Sequence, residues 1–438
     1  MNTENIFTGI KNLGPCEIAS PLAMDGKTRR FCSDDEKVLL DDRLDVIQAQ
    51  IKSGMEIPSL EKAGPRRSIY FDPKKTRCAI VTCGGLCPGL NDVIRGITLH
   101  LHHRYGVNTV YGIRYGYEGF IRSCGHEFIL LTPENVANIH LMGGSFLGSS
   151  RGNQDIGDIV NRLEELKVNI LFVIGGDGTL RGSIDISREV QRRGGKMSVI
   201  GIPKTIDNDI MYLDRSFGFE TAFTEAVESI KAAHVEALGA VNGVGLVKLM
   251  GRQSGFIACF AALATNDANF VLIPEVPFKL SGENGLLNLL KQRLESRRHA
   301  VIVVAEGAGQ DLVEGDSSGK DASGNIRLKD IGLYLKHHIE NHFKGLQTEV
   351  NVKYIDPSYI IRSAPANAND SMFCSLLAQN AVHAAMAGKT DFVVGHWNNM
   401  FTLLPIPATV SKRKKIDIEG ELWWNILETT GQPASMKN

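Results

Sequence analysis

Short apolar runs alternate with longer amphipathic segments through most of this chain, and the alternation constrains the fold more than any other feature. In the first half, apolar runs at 78–82, 107–113 and 170–174 are separated by amphipathic segments at 90–105 and 156–166. Parallel strands need a crossover connection, usually a helix, so this alternation is typical of βαβ units. The sequence therefore predicts an α/β fold with a mostly parallel sheet.

A second set of the same kind begins near residue 215. Helix-like segments at 221–238 and 254–264 alternate with strand-like runs at 243–249, 270–273 and 300–305. The chain has 438 residues, which exceeds the roughly 100–200 residues of one ordinary domain. Two α/β domains, each with its own sheet, are the expected organisation.

The composition is that of a soluble globular protein. Lys and Arg number 48 against 49 Asp and Glu, so there is no excess of positive charge of the kind that binds nucleic acid. No run approaches the roughly 20 apolar residues that span a membrane, and the first ten residues do not read as a secretory signal. We therefore expect a cytoplasmic protein without membrane or nucleic-acid partners. Cys83 and Cys87 are the only close cysteine pair and lack a second pair at zinc spacing, which favours buried free thiols.

Glycines and carboxylates stand where two of the predicted strands end. Residues 175–179 (Gly-Gly-Asp-Gly-Thr) follow the run 170–174, and residues 203–209 (Pro-Lys-Thr-Ile-Asp-Asn-Asp) follow the run 199–202. Ligands in open α/β sheets bind at the carboxyl ends of the strands. A carboxylate after two glycines can bind Mg²⁺ while backbone amides face phosphate, although Asp177 equally fits a helix cap. Position and chemistry indicate a phosphate and magnesium site.

Four further sites carry suitable chemistry, and three of them have an ordinary alternative. The glycine-rich turn 82–91 suits phosphate but is also a common strand-to-helix turn. Arg151 stands among small residues and suits either a surface salt bridge or bidentate phosphate contact. Residues 250–252 (Met-Gly-Arg) follow a predicted strand. Glu306 also follows a predicted strand, and it equally fits a helix cap. The basic stretch 411–415 is interpreted as a solvated turn in preference to a specific anion site.

Together these segments resemble the phosphofructokinase family, and the resemblance runs from about residue 77 to residue 391. It implies phosphoryl transfer to the 1-hydroxyl of D-fructose 6-phosphate in a cleft between two Rossmann-like three-layer α/β/α domains, in a homotetramer or homodimer. The implied division is an N-terminal extension at 1–70, a donor domain at 71–214 with about 362–395, a sugar-phosphate domain at 215–361, and a tail at 396–438.

On the donor side the resemblance implies binding of ATP with Mg²⁺, the latter at Asp177. The implied ATP-binding residues are Gly85, Arg151, Gly176, Asp177, Gly178 and Thr179. A glycine at 178 leaves room for a nucleotide, whereas pyrophosphate-using members typically carry Asp there. Lys204 favours the other donor, since many ATP users have Gly at that position and pyrophosphate users have Lys. Gly178 together with Lys204 resembles the combination in the plant and trypanosomatid ATP-dependent branch of the family. Pyrophosphate stays the alternative donor.

On the acceptor side the resemblance implies that Asp207 is the general base, because a carboxylate within reach of the hydroxyl can accept its proton. Arg252, Lys204 and Arg151 would stabilise the negative charge that develops on the phosphoryl group during transfer. The residues implied to hold the sugar phosphate are Thr205, Asp209, Met250, Gly251, Arg252, Glu306, Lys353, Tyr359 and Arg362. Tyr359 replaces the His of simpler bacterial enzymes, and Gly243 replaces an Arg that those enzymes supply across a subunit boundary.

Two other classes of protein are weighed against this interpretation. A non-catalytic regulatory subunit of the same fold would be expected to lack Asp207 or Arg252, and both are present. Kinases that act on NAD or lipids share a Gly-Gly-Asp-Gly pattern, but would lack the combination of the 250–252 segment with Glu306. The favoured prediction is an ATP-dependent 6-phosphofructokinase.

Overall fold

The computed structural model describes residues 9–26, 28–313, 319 and 327–437. The chain divides into two compact units. The first unit contains the described residues up to Thr205, together with Ile210–Gly218 and Ser363–Lys412. The second contains Ile206–Asp209, Phe219–Arg362 and the described residues from Arg413 onward. Each unit is therefore built from separate parts of the sequence.

The described elements follow one another in the α/β order that the apolar pattern predicts. The strands are β1 (Lys11–Asn12), β2 (Ile18–Ala19), β3 (Lys37–Leu39), β4 (Ser59–Lys62), β5 (Ser68–Ile69), β6 (Arg77–Thr82), β7 (Thr109–Ile113), β8 (Ile129–Leu130), β9 (Ile170–Gly175), β10 (Ser198–Pro203), β11 (Gly243–Leu249), β12 (Phe270–Leu272), β13 (His299–Ala305), β14 (Asn351–Ile355), β15 (Lys389–Thr390), β16 (Phe392–Trp397) and β17 (Met400–Pro405). The α-helices are α1 (Pro21–Met24), α2 (Leu44–Ser53), α3 (Leu90–His100), α4 (Ile156–Glu165), α5 (Asp177–Arg192), α6 (Phe219–Leu238), α7 (Phe256–Thr265), α8 (Leu286–Arg297), α9 (Ile331–Gly345), α10 (Ser358–Ser363), α11 (Ala368–Met386), α12 (Ile406–Thr409) and α13 (Glu421–Thr430).

The first unit is built on a nine-stranded sheet in the order β3-β4-β17-β16-β10-β9-β6-β7-β8. Its five central strands, β16 to β7, are parallel, and the strands outside them pair antiparallel. Central parallel strands are buried on both faces and so read as continuous apolar runs. Because β6, β9 and β10 are neighbours, the segments that follow Thr82, Gly175 and Pro203 leave the sheet along one edge.

The second unit has a four-stranded parallel sheet in the order β12-β13-β11-β14. Side chains of β11 alternate between its faces: Val247 and Leu249 pack with α6, α7 and α13, while Val244 and Leu246 pack with α8 and α9. The sheet is therefore covered by helices on both faces. The predicted α/β class with mostly parallel sheets is confirmed in both units.

The two ends of the chain are more integrated than a peripheral extension and tail. In the extension, β3 and β4 lengthen the first sheet, and the Lys389 ammonium makes a buried ion pair with Glu61 at 2.7 Å. In the tail, β17 belongs to the same sheet, whereas Trp423 of α13 lies in the core of the second unit. Residues 1–8 of the extension lie outside the described residues. Among the described helices, none has the length and apolar character needed to cross a membrane.

Candidate active site

The glycine-rich segment after β6, here called the Gly loop (83–89), depends on glycine at defined points. Gly84 and Gly89 have φ angles of +84° and +93°, which side-chain-bearing residues rarely adopt. The Gly84 N–H donates to the Ser150 carbonyl at 3.1 Å, and the Ser149 hydroxyl donates to the Gly84 carbonyl at 2.6 Å. These bonds attach the Gly loop to the segment that carries Arg151.

Gly85 and Arg151 are brought together by that attachment. A Cβ atom at Gly85 would lie 3.4 Å from Nη2 of Arg151, so a side chain at position 85 would crowd the guanidinium group. Arg151 is itself exposed. The exposed guanidinium group beside a glycine backbone is a suitable arrangement for an anionic ligand.

Helix α5 starts directly after β9 and presents its N-terminus at the same sheet edge. Gly176 is the N-cap residue and Asp177 opens the helix, with Gly178 and Thr179 in its first turn. The first amides of a helix have no partner within the helix and carry partial positive charge, which makes a helix start suitable for phosphate. A Cβ atom at Gly178 would have nothing within 4 Å. Any side chain at position 178 would therefore project into open space at the helix start.

Lys204 connects the three segments at this edge. Its backbone N–H donates to the Gly175 carbonyl at 3.0 Å, and its buried ammonium group donates to the Gly85 carbonyl at 2.7 Å. The carbonyl of the next residue, Thr205, accepts a hydrogen bond of 2.6 Å from the Ser216 hydroxyl. Lys204 thus places a positive charge inside the Gly loop.

The Asp turn (Ile206–Asp209) belongs to the second unit. Asn208 is buried and has a φ angle of +55°, a left-handed conformation in which Asn is enriched. Oδ2 of Asp207 accepts the Arg252 backbone N–H at 3.3 Å, and the Ser254 hydroxyl donates to the Asp207 carbonyl at 3.2 Å. The Asp turn is therefore fixed to the Arg252 loop (250–255), which follows β11.

Asp207 has an environment suited to proton transfer. Burial raises the pKa of its carboxyl group from an ordinary 3.8 to about 7, and the negative charges of Asp209 and Glu306 act in the same direction. The hydrogen bond from Arg252 and the charge of Arg362 oppose the rise. A carboxylate that titrates near neutrality can accept a proton from a substrate and release it afterwards.

Close backbone packing brings Arg252 and Glu306 together at the ends of β11 and β13. Leu249 and Ala305 are paired in the sheet, and the Gly307 N–H donates to the Gly251 carbonyl at 3.0 Å. Gly251 has a φ angle of +128°, and a Cβ atom at Gly307 would lie 2.0 Å from the Arg252 carbonyl oxygen. Only glycine fits at these two positions.

Arg362 completes the group in the second unit. Its Nε donates to the Sδ atom of Met250 at 3.2 Å. Burial raises the pKa of Glu306, while the charges of Arg362 and Arg252 oppose that rise. The structure thus groups Asp207, Asp209, Met250, Gly251, Arg252, Glu306 and Arg362.

Lys353 and Tyr359 are not part of this group. Lys353 pairs with Gly245, four residues or about 13 Å before the end of β11, and its ammonium lies 3.8 Å from the Glu236 carboxylate. Tyr359 is 84% exposed. The cation nearer the end of β11 is Lys248, which makes ion pairs with Asp330 and Asp356 at 3.1 and 2.8 Å.

Arg413 was missed by sequence reasoning. Its Nη1 atom lies 2.8 Å from Oδ2 of Asp209, and the next backbone N–H, of Lys414, donates to the Asp209 carbonyl at 2.8 Å. The interpretation of 411–415 as a solvated turn is wrong for these residues. No local signal marks the contact, because its partners are 204 positions apart.

Comparison with known proteins gives a consistent family. A phosphofructokinase family model matches residues 77–385. An ATP-dependent 6-phosphofructokinase of Borreliella burgdorferi is 47% identical and covers 100% of this chain and 99% of that protein. A Trypanosoma cruzi protein of the same name is 48% identical over 84% of this chain and 76% of its own. ATP-dependent 6-phosphofructokinase 7 of Arabidopsis thaliana is 47% identical, covering 87% and 79%.

Solved structures share the fold at lower identity. A pyrophosphate-dependent phosphofructokinase from Marinobacter aquaeolei has a TM-score of 0.66 at 19% identity, covering 81% of this chain and 91% of that one. Phosphofructokinase from Saccharomyces cerevisiae has a TM-score of 0.63 at 23% identity, covering 81% and 48%. At these identities the likeness is evidence of fold and not of the phosphoryl donor.

Proposed function

The chain belongs to the phosphofructokinase family, and from that premise we propose that it transfers the γ-phosphoryl group of ATP to the 1-hydroxyl of D-fructose 6-phosphate. The product is fructose 1,6-bisphosphate, and the reaction is a step of glycolysis. The observation that carries the proposal is the Asp207 carboxylate, whose pKa burial raises to about 7, beside the Arg252 loop. Relatives that are 47% to 48% identical are named as ATP-dependent enzymes.

In this mechanism the oxygen of the 1-hydroxyl attacks the γ-phosphorus of ATP while Asp207 accepts the hydroxyl proton. The bond from the γ-phosphorus to the bridging oxygen breaks, and ADP leaves. Arg252 stabilises negative charge on the phosphoryl oxygens during transfer. Met250, Gly251 and Glu306 hold the sugar, with the Glu306 carboxylate accepting hydrogen bonds from its hydroxyl groups. Thr205 and Asp209 flank the base and orient the reacting end of the sugar.

The first unit binds ATP in the same proposal. Backbone amides of Gly85, Gly176 and the first turn of α5, with Gly178 and Thr179, face the phosphates. The Arg151 guanidinium and the Lys204 ammonium pair with phosphate oxygens. The open space beside Gly178 supports a nucleotide as the donor, since a side chain there would occupy that space.

The Asp177 carboxylate fits a ligand of Mg²⁺. Mg²⁺ is usually held by one or two carboxylates together with phosphate oxygens and water, and the described residues form no group of three or more His, Cys, Asp and Glu side chains that could hold a metal alone. When bound with ATP, Mg²⁺ would neutralise phosphate charge. Asp177→Asn should weaken ATP binding in the presence of Mg²⁺ more than in its absence, measured by calorimetry.

The 6-phosphate is assigned first to Arg362, which lies beside Met250. Lys353 and the exposed Tyr359 are proposed as further 6-phosphate ligands, acting in a homotetramer or homodimer. Mixing two inactive variants, Asp207→Ala and Lys353→Ala, tests this role. Recovery of activity would show that Lys353 serves a second copy of the chain.

We also propose an allosteric enzyme of the cytoplasm. The eight cysteines are all free, which suits a reducing compartment. Light scattering would give the oligomeric state, and a sigmoidal dependence of rate on fructose 6-phosphate would reveal allostery. Cell fractionation tests the location.

The deciding experiment measures fructose 1,6-bisphosphate formation with Mg²⁺ and either ATP or pyrophosphate as the sole donor. Turnover with ATP is expected for the wild-type protein and for Asp311→Asn, a control at an exposed carboxylate. Asp207→Asn should lose at least a thousandfold in kcat, since it cannot accept the proton. Turnover with pyrophosphate alone would make Lys204 the better guide to the donor, and inactivity with both donors would overturn the proposal.

A further inference from the structure

The chain returns to the second unit after β17, where it contacts the Asp turn directly and reaches the Arg252 loop through Glu275. We propose that Arg413 is a positioning residue for phosphoryl transfer: its guanidinium holds Asp209 and thereby fixes the Asp turn that carries Asp207. This inference rests on the phosphofructokinase activity proposed above. It assigns a role to the tail segment (413–416), a stretch outside the family-matched residues 77–385.

The first contact of the tail segment is with the Asp turn. The Asp209 side chain is 5% exposed and that of Arg413 is 30% exposed, with 2.8 Å between Nη1 and Oδ2. The Lys414 N–H holds the Asp209 carbonyl at 2.8 Å. Both the side chain and the backbone of Asp209 are therefore held by consecutive residues. Asp207 lies two residues away, across the left-handed Asn208.

The second contact reaches the Arg252 loop through Glu275. The Glu275 carboxylate accepts the Ile416 N–H at 2.9 Å through Oε1 and the Gly255 N–H at 3.1 Å through Oε2. The Lys414 ammonium lies 5.0 Å from the centroid of the Phe256 ring, within the range of a cation–π contact. Arg413, Lys414 and Ile416 thus connect the tail segment to the Asp turn, to the start of α7 and, through Glu275, to the end of the Arg252 loop.

The charge of Arg413 also bears on the base. The negative charges of Asp209 and Glu306 raise the pKa of Asp207, whereas the backbone hydrogen bond from Arg252 and the positive charge of Arg362 lower it. Arg413 offsets the Asp209 charge. Without it, Asp207 would ionise at higher pH, because the surrounding potential would be more negative. Without the Asp209 charge, Asp207 would ionise at lower pH.

The test compares Arg413→Ala and Arg413→Lys with Lys412→Ala, which removes an adjacent exposed charge. The measurements are kcat, the two KM values, the pH dependence of kcat/KM and Tm. Arg413→Ala should lower kcat roughly ten- to a hundredfold, as expected for loss of a charge-assisted hydrogen bond, and leave KM for ATP within about twofold. In Arg413→Ala the acid limb of the kcat/KM profile, where activity falls as pH is lowered, should move to higher pH. Arg413→Lys should restore part of kcat, and Lys412→Ala should behave as wild type.

Asp209→Asn separates a positioning role from a merely structural one. Asp209→Asn should move the acid limb of the kcat/KM profile to lower pH. The double variant Asp209→Asn with Arg413→Ala should have a kcat close to that of Asp209→Asn alone. Equal kcat and acid limb in Arg413→Ala and wild type would overturn the inference while leaving the proposed function intact. A fall in Tm with an unmoved acid limb in both Arg413 variants would also overturn it. A wild-type protein inactive with ATP would overturn both proposals.

Discussion

Asp207 should reduce the stability of the folded protein at neutral pH, and replacing it with Asn should reveal this. Burial raises the pKa of the folded carboxyl group from 3.8 to about 7. Between those values the folded state retains a proton that the unfolded chain releases. Stability should therefore fall as pH rises from about 4 to about 7, and the full cost should be present above pH 7.

The size of the effect follows from the separation of the two pKa values. About three pH units at about 1.4 kcal/mol each give an upper limit of about 4 kcal/mol. Asn keeps the shape of the side chain, and its carbonyl can still accept the Arg252 N–H. Asp207→Asn should thus be inactive and more stable than wild type at pH 8.

The assay is thermal unfolding of wild type and Asp207→Asn at pH 5 and pH 8, with Asp311→Asn as the control substitution. The Tm advantage of Asp207→Asn should be roughly 5 °C larger at pH 8 than at pH 5, because about 1 kcal/mol corresponds to roughly 2–4 °C for a unit of this size. The comparison at each pH removes effects common to both proteins. An advantage that does not change between the two pH values would refute an ionisation cost at Asp207.

Other predictions test the remaining parts of the site. Below pH 7, kcat/KM should fall about tenfold per pH unit as Asp207 becomes protonated, measured with initial rates in overlapping buffers. Gly178→Asp should leave Tm within about 2 °C, because its side chain meets open space, yet raise KM for ATP at least about tenfold by like-charge repulsion. Lys204→Met keeps the aliphatic stem and should lower kcat roughly ten- to a hundredfold with little change in KM for the sugar. Gly89→Ala should lower the free energy of unfolding by about 2 kcal/mol or more, measured by denaturation, because its Cβ would lie 2.7 Å from a sulfur atom. Gly125→Ala is the control: its φ angle is +69° and its Cβ would meet open space, so it measures the backbone strain alone.

The sequence was most informative where burial is complete on both faces of a sheet. The expected strand 243–249 coincides with β11, and the run 170–174 differs from β9 by one residue. The helix-like segment 90–105 corresponds to α3 and a π-helical continuation, Leu101–Tyr105. Such strands have no polar face, so the apolar run in the sequence stops where the strand ends. The first glycine or carboxylate after the run marks that end. For the same reason the sequence located the Asp turn and the start of α5.

The sequence was least informative where a position depends on distant residues. β3 and β4 are short and partly polar, and they are strands because each pairs with a neighbour in the sheet rather than because of their own pattern. Lys353 fitted a family segment, yet the register of β14 sets it about 13 Å before the end of β11. Arg413 looked like part of a solvated basic stretch. Its partner, Asp209, is defined only by the folded chain.

The basicity of Asp207 depends on the fold as well as on its motif. An Asp in an exposed turn would ionise near its ordinary value of 3.8, and would be too weak a base at neutral pH. The rise to about 7 comes first from burial, then from the negative charge of Asp209 within the turn, and then from that of Glu306, which is brought near by the pairing of β11 with β13. Arg252 and Arg362 limit the rise, so that the carboxylate still ionises near neutrality. Substitutions at these distant positions should therefore change the pH dependence of the reaction even where the Asp turn is untouched.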